Sequence, residues 1–258
     1  LHKSGIRYSG WQIYKNKKRY YLDEDGILQT GTLTIDGKKY TFDSNGILLI
    51  TPESNGSKTI KNYLAGALLP VGKALYVWGG GWNDSTRKGL SPTMTAFYNS
   101  QTADYNYNNY RDLSTENRAK GFDCSGFVGW AAYQVMQTKS GVGSGYTVVS
   151  GEVGSTYKAR GWGSILTQSD LSKSDWTFKP GDIGYNEGHV WIVLGQCSDK
   201  SVVIIHSTPQ AGVQISGTTT PTGSYSSEAA ALAKKYMSLY SGYSIFNYHP
   251  SVGNYIRN

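Results

Sequence analysis

Phe122-Asp123-Cys124-Ser125-Gly126-Phe127-Val128-Gly129-Trp130-Ala131-Ala132-Tyr133-Gln134-Val135-Met136 is the stretch on which the fold of this chain turns. Apolar residues at 127, 128, 131, 132, 135 and 136 recur at helical spacing, which predicts a buried helix with Cys124 at its start. Unpaired N–H groups and the dipole at a helix N-terminus favour negative charge. They are expected to lower the thiol pKa and populate thiolate. The same N–H groups suit an oxyanion. Taken alone, a buried cysteine at a helix start is more often structural than reactive, so the assignment depends on a base.

Two strands downstream supply one. Pro180-Gly181-Asp182-Ile183 is a turn leading into a strand, followed by Gly188-His189-Val190-Trp191-Ile192-Val193-Leu194-Gly195. A polar turn, Gln196 to Ser201, then leads to Val202-Val203-Ile204-Ile205-His206. Folding this hairpin about the midpoint of Cys197 and Ser198 sets His189 opposite His206. A slip of two residues keeps both on one face. His189 is expected to take the thiol proton and later protonate a leaving amine. His206, neutral, is expected to bond the other nitrogen of His189 and fix its tautomer. The close multi-ligand spacing of zinc modules is absent, so neither a metal nor a cofactor is expected.

Composition frames this reading. The 258 residues leave room for one ordinary domain and a small accessory one. Two cysteines exclude a disulfide framework, and Cys124 has a better use than a bridge to Cys197. A net charge of +7 speaks to partners and not to fold. The basic residues form no stripe, and no zinc-finger, helix-turn-helix or RNA-binding signature appears, so nucleic acid is not an expected partner. An anionic bacterial wall fits the charge. No stretch approaches the roughly 18 apolar residues of a membrane span. The chain begins at Leu1, so any signal peptide is read as removed or as never part of this sequence.

The first fifty residues repeat themselves. Gly10-Trp11-Gln12-Ile13-Tyr14 runs on to Tyr20-Tyr21-Leu22-Asp23 and Asp25-Gly26-Ile27-Leu28. Gly31-Thr32-Leu33-Thr34-Ile35 runs on to Tyr40-Thr41-Phe42-Asp43 and Asn45-Gly46-Ile47-Leu48. Lys15 to Lys18 holds one extra residue in the first unit's turn, and Asp36-Gly37 is a strong two-residue hairpin signal. These units resemble the cell-wall-binding repeats of the choline-binding and glucan-binding type. That resemblance implies an aromatic cage for a quaternary ammonium or a sugar face, with Trp11, Tyr20, Tyr21, Tyr40 and Phe42 as members. Wall polysaccharide or teichoic acid would be its ligand. The second unit departs from the pattern, with Thr32 where tryptophan is usual. The competing reading makes these aromatics a packing core. Residues 1–50 are thus read as the repeat module, Thr51 to Lys58 as a linker and 59–258 as the second domain.

Tyr76-Val77-Trp78-Gly79-Gly80, Phe122-Asp123-Cys124-Ser125-Gly126, Pro180-Gly181-Asp182, Gly188-His189-Val190 and Ile205-His206-Ser207 stand in the order seen in NlpC-type cell-wall endopeptidases. The resemblance covers roughly residues 60 to 216. It implies an α+β, papain-like domain: a central antiparallel sheet with the Cys124 helix packed on it. It also implies Cys124, His189 and His206 as a triad. The reaction would be hydrolysis between γ-D-glutamate and the diamino acid of peptidoglycan stem peptides, by a secreted, wall-associated enzyme. Tyr76 would lie beside the thiol, Trp78 and Ser125 would join the substrate site, and Asp123 would bind a free amino terminus. Core packing for Tyr76 and Trp78, and a helix N-cap for Asp123, are the alternatives.

Three features depart from that family. A long insert rich in Asn, Tyr, Ser and Thr lies between Gly80 and Gly121, where a short loop is usual. Trp191 replaces a small residue and is expected to narrow the site beside His189. Beyond His206, a Gly/Thr/Ser/Pro loop leads to a helix from Ser227 to Tyr240, with Ala231, Leu232 and Met237 as core, and to a structural His249. The rival activity is a CHAP-type N-acetylmuramoyl-L-alanine amidase. A non-catalytic wall-binding protein is the alternative from another class.

Overall fold

The structure is a computed structural model and describes residues 8–13, 19–49, 58–82, 86–138, 145–173, 175–209, 211–238 and 254–257. The expected turn at Lys15–Lys18, most of the linker and His249 lie outside the described residues. The chain divides into two compact units, Leu1–Thr51 and Pro52–Asn258.

In the first unit, β1 (Gly10–Ile13) pairs antiparallel with β2 (Arg19–Leu22), and β3 (Gly31–Ile35) with β4 (Lys38–Phe42), which also pairs with β5 (Leu48–Leu49). The repeat is one of hydrogen bonding as well as sequence. Asp23 Oδ1 accepts from the N–H groups of Asp25 and Ile27, and Asp43 Oδ1 accepts from those of Asn45 and Ile47. Asp36 and Gly37 both carry positive φ, 50° and 76°, which is the requirement that selects this dipeptide for a tight hairpin.

The second unit is α+β. Its six-stranded antiparallel sheet runs in the order β12-β11-β10-β9-β13-β8. These strands are Gly212–Gly217, Val202–Thr208, Val190–Gln196, Ile183–Tyr185, Asn254–Arg257 and Ser164–Leu166. A short parallel pair, β6 (Leu75–Tyr76) and β7 (Gly121–Phe122), brings two distant motifs side by side. The helices are α1 (Ile60–Leu68), α2 (Pro92–Ser100), α3 (Thr115–Arg118), α4 (Cys124–Met136), α5 (Val153–Ala159), α6 (Gln168–Leu171) and α7 (Glu228–Met237). Helix α4 is buried all round over its first three turns, so it forms the centre of the core rather than an amphipathic cover. Phe127, Val128 and Ala131 pack with Val190, Ile192, Ile205 and Val213 of the sheet. A second cluster holds Trp191, Val193, Val202, Ile204, Phe178 and Tyr255.

Several expectations need correction here. The segment after His206 is a strand, β12, and the chain's last described residues form β13. Gly181-Asp182 anchors that strand: the buried Asp182 carboxylate takes Nε and Nη2 of Arg257 at 2.8 and 2.6 Å. The insert carries α2, α3 and a 3₁₀ turn at Tyr107–Tyr110 rather than an open loop. In α7, capped by Ser227, the inward residues are Ala229, Ala230, Ala233 and Met237, while Leu232 is 39% exposed.

The β10–β11 register is the most instructive difference. Near the turn the pairs are Gln196↔Val202 and Gly195↔Val203, and the turn closes around Asp199, with Cys197 N–H donating to Ser201 O. That is an odd displacement from the symmetric hairpin the sequence indicates, and alone it would send His189 and His206 to opposite faces. Leu194 is the extra residue of a bulge, after which the pairs become Val193↔Ile204 and Ile192↔Ile205. The bulge removes one step, leaving a slip of two. One pair further on, Trp191 stands across from His206, and His189 is its diagonal neighbour on the same face.

Candidate active site

The thiol is positioned by a glycine turn. Asp123 N–H donates to Gly80 O at 3.1 Å, and a Cβ placed on Gly126 would lie 1.9 Å from the same oxygen. Only glycine at 126 lets the first turn of α4 rest on this backbone. Ser207 Oγ, from β11, donates to Phe122 O at 2.8 Å and ties the cysteine segment to the sheet. Tyr76-Val77-Trp78-Gly79-Gly80 and Phe122–Gly126 thus form one local structure.

Asp123 is the N-cap of α4. Its Oδ1 accepts from Gly126 N–H at 2.6 Å and Ser125 Oγ at 3.0 Å, and its Oδ2 accepts from Trp82 Nε1 at 3.0 Å. Burial raises its pKa, against the opposing pull of these donors. Both carboxylate oxygens are engaged within the protein, so the geometry describes a cap and not an exposed receptor for a substrate amine. Ser125 is buried and belongs to the same cap.

Burial, and then the Asp123 carboxylate, push the Cys124 thiol up to about 12, although N–H groups of Val190, Ser125 and Cys124 face the sulfur and pull the other way. The expected lowering by the helix start is present but outweighed, because dehydrating a thiolate costs more than one helix end returns. The Val190 N–H at the sulfur places the strand start that carries His189 against Cys124.

His189 Nε2 and His206 Nδ1 lie 2.8 Å apart, and His206 Nε2 lies 2.8 Å from Ser216 Oγ. Burial pulls His189 down to about 4, and burial together with His189 holds His206 well below the ordinary histidine value. Both rings are therefore neutral at neutral pH. The structure joins His189 to His206, sets the N–H of Val190, the residue after His189, at the Cys124 sulfur, and adds Ser216 to the histidine pair. That residue was missed because the strand bearing it was read as loop, although Val213-Gln214-Ile215-Ser216 alternates with period two.

The remaining candidates divide. Tyr76 is buried; burial raises its hydroxyl pKa, with the Cys124 and Asp123 charges adding, so its hydroxyl lies within electrostatic range of the thiol. Trp78 is 43% exposed. Trp191 is fully buried, stacks on His189 with ring centroids 5.9 Å apart, and donates its indole N–H to Tyr255 Oη at 3.2 Å. It backs the imidazole instead of narrowing an open site. In the other unit, Trp11 meets Tyr21, Tyr40 and Phe42 at centroid distances of 5.3, 4.8 and 5.8 Å, so both repeats contribute to one aromatic group. Tyr20 pairs with Gln12 and faces the other side of its hairpin. Phe42 is buried, whereas Trp11 remains 38% exposed.

Comparison with known proteins bears on that first unit. No curated protein and no solved structure matches the chain. Residues 9–28, which span β1, β2 and the Asp23 turn, match the choline-binding family model described as "Putative cell wall binding repeat". The chain thus carries a repeat of the cell-wall-binding type, which points to a wall-associated protein.

Proposed function

We propose that the chain is a peptidoglycan hydrolase, a cysteine endopeptidase of papain-like fold that cuts stem peptides at the γ-D-glutamyl–diamino acid bond. One observation supports the reading: a buried chain His189–His206–Ser216 starts next to Val190, whose N–H faces the sulfur of a cysteine at the start of a buried helix. Order in this chain dictates the tautomers. To accept the thiol proton at Nδ1, neutral His189 must carry its own proton on Nε2 and donate it to His206 Nδ1. His206 then carries its proton on Nε2 and donates it to Ser216 Oγ. The neutral state of His206, enforced by burial, leaves one ring nitrogen an acceptor, and the Ser216 contact at Nε2 makes Nδ1 that nitrogen in this arrangement.

The resting pair is thiol and imidazole. As the substrate carbonyl arrives, the Cys124 proton passes to His189 Nδ1 and the sulfur bonds to the carbonyl carbon. N–H groups at the start of α4 hold the oxyanion. Collapse breaks the C–N bond, the leaving amine takes the proton from His189, and a thioester remains. Water then attacks with His189 as base, releasing the glutamyl γ-carboxylate and the thiol. The repeat unit, with Trp11, Tyr21, Tyr40 and Phe42 grouped, supports retention on a wall polymer by ring stacking or cation–π contact. The test is release of soluble fragments from purified peptidoglycan. Iodoacetamide should stop it and EDTA leave it unchanged; EDTA inhibition reversed by zinc would overturn the thiol mechanism.

A further inference from the structure

The insert that separates Gly80 from Gly121 is fastened to the Tyr76–Gly80 segment by contacts that the proposed mechanism does not use. Tyr105 Oη donates to Tyr76 O at 2.5 Å. Tyr105 stacks on Tyr110 with centroids 5.6 Å apart, and Phe97 meets both rings edge-on at 5.9 and 5.0 Å. Leu113, at φ 56°, folds over Gly79, where a Cβ would stand 2.7 Å from Leu113 Cδ2. The segment between these anchors, which bears Tyr107 and Arg111, is therefore held at two points.

Tyr107 packs edge-on against Tyr76, centroids 5.3 Å apart, and the Tyr76 hydroxyl lies within electrostatic range of Cys124. The Arg111 guanidinium lies 4.7 Å over the Trp78 ring and 5.9 Å from that of Tyr107. Among the described residues Arg111 forms no ion pair with a carboxylate, and its one hydrogen bond is a long contact to Asn108 Oδ1 at 3.5 Å. Neighbouring Asp112 is committed elsewhere: its Oδ1 accepts from Ser114 N–H and Asn117 Nδ2. A guanidinium whose charge rests over an indole face still has N–H donors to match the two oxygens of a carboxylate.

Resting on the hydrolase reading, we propose that Arg111, Trp78 and Tyr107 form a subsite that binds a free carboxylate of the stem peptide next to the thiol cleft. Trp78 and Tyr107 hold the guanidinium in place, so the charge is presented with little ordering cost. The carboxylate has two sources in a stem peptide, the glutamyl α-carboxylate and the C-terminus. The subsite gives the protein a preference for substrates in which that group is not amidated.

The experiment uses full-length Cys124→Ala protein, which binds without cutting, and three ligands: L-Ala-γ-D-Glu-L-Lys, its glutamyl α-carboxamide and its C-terminal carboxamide. Calorimetric Kd values should weaken about tenfold or more for one of the two amides, identifying the source. Adding Arg111→Gln, at an exposed position, should reduce that discrimination to within about twofold while leaving affinity for the sensitive amide unchanged. Equal affinities for all three ligands, discrimination that survives Arg111→Gln, or no binding at millimolar ligand would each overturn the subsite. Turnover of the same peptide by the Cys124 protein separates the two ideas. A peptide bound through Arg111 but never cut sinks the hydrolase reading alone, whereas one cut with no dependence on Arg111 sinks the subsite alone.

Discussion

Replacing Ser216 by alanine removes the hydroxyl that meets His206 Nε2, and the proposed proton relay makes that loss consequential. Ser216 is fully buried and His206 is 2% exposed, so water does not replace the lost 2.8 Å contact to His206 Nε2. Leaving a buried N–H without its acceptor costs about 1–3 kcal/mol. His206 can reduce that cost by shifting its proton to Nδ1, where it donates to His189 Nε2. The His189 proton then moves to Nδ1, the nitrogen needed to accept from the thiol. A bias of about 1.4 kcal/mol is a factor of ten, so kcat/KM for a stem tripeptide should fall about 10- to 100-fold. Nitrogen-15 spectra of the histidine rings should show His206 passing from the Nε2–H to the Nδ1–H form, and Ser216→Thr should restore both spectrum and rate in part. Unchanged tautomers with unchanged turnover would refute the relay. Lost turnover without a tautomer change would show that Ser216 acts by packing alone.

Four further outcomes are expected. Arg257→Ala strands the Asp182 carboxylate, which is 1% exposed, and should cost about 3–5 kcal/mol in urea unfolding; a loss below about 1 kcal/mol would contradict the buried pair. Because His189 is held near 4, the acid limb of kcat/KM should lie near pH 4 instead of 6.5, and a limb at 6.5 would show that burial does not govern its proton. The same depressed pKa works on stability: the unfolded chain takes up protons below about 6.5 while the fold resists, so stability is full above 6.5 and falls toward 4. Urea midpoints that stay flat from pH 7.5 to 4.5 would exclude it. Deleting residues 1–50 should weaken pull-down on intact walls more than turnover of soluble peptide, since weak contacts on a multivalent surface raise local concentration. Loss of peptide turnover in a truncated chain still folded by circular dichroism would assign the repeats to the active site.

Much of this site was legible because its signals are local. Helical spacing from Phe127 to Met136 fixed the start of α4 at Cys124, and Asp36-Gly37 with the Asp23 and Asp43 loops exposed the N-terminal repeat. The approach of the two histidines was legible only in parity, since a turn centred on Asp199 and a bulge at Leu194 had to offset each other. What was missed depends on the rest of the fold. Asn254–Arg257 is too short for a periodic signal and becomes a strand because Asp182 and β9 receive it. Trp191 could not be assigned to the inside of the sheet without Tyr255, and the thiol's pKa depends on burial that no local pattern encodes.

The proposed hydrolase is tested most directly by the mass of the fragments released when purified peptidoglycan is digested by the full chain, with Cys124→Ala beside it. A thiol endopeptidase of the proposed specificity gives products ending in a free γ-carboxylate of D-glutamate, paired with fragments beginning at the diamino acid, and none from Cys124→Ala. Fragments cut between N-acetylmuramic acid and L-alanine would contradict the assigned bond in favour of an amidase. Equal digestion by Cys124→Ala, or no digestion by the native chain, would contradict the thiol hydrolase itself.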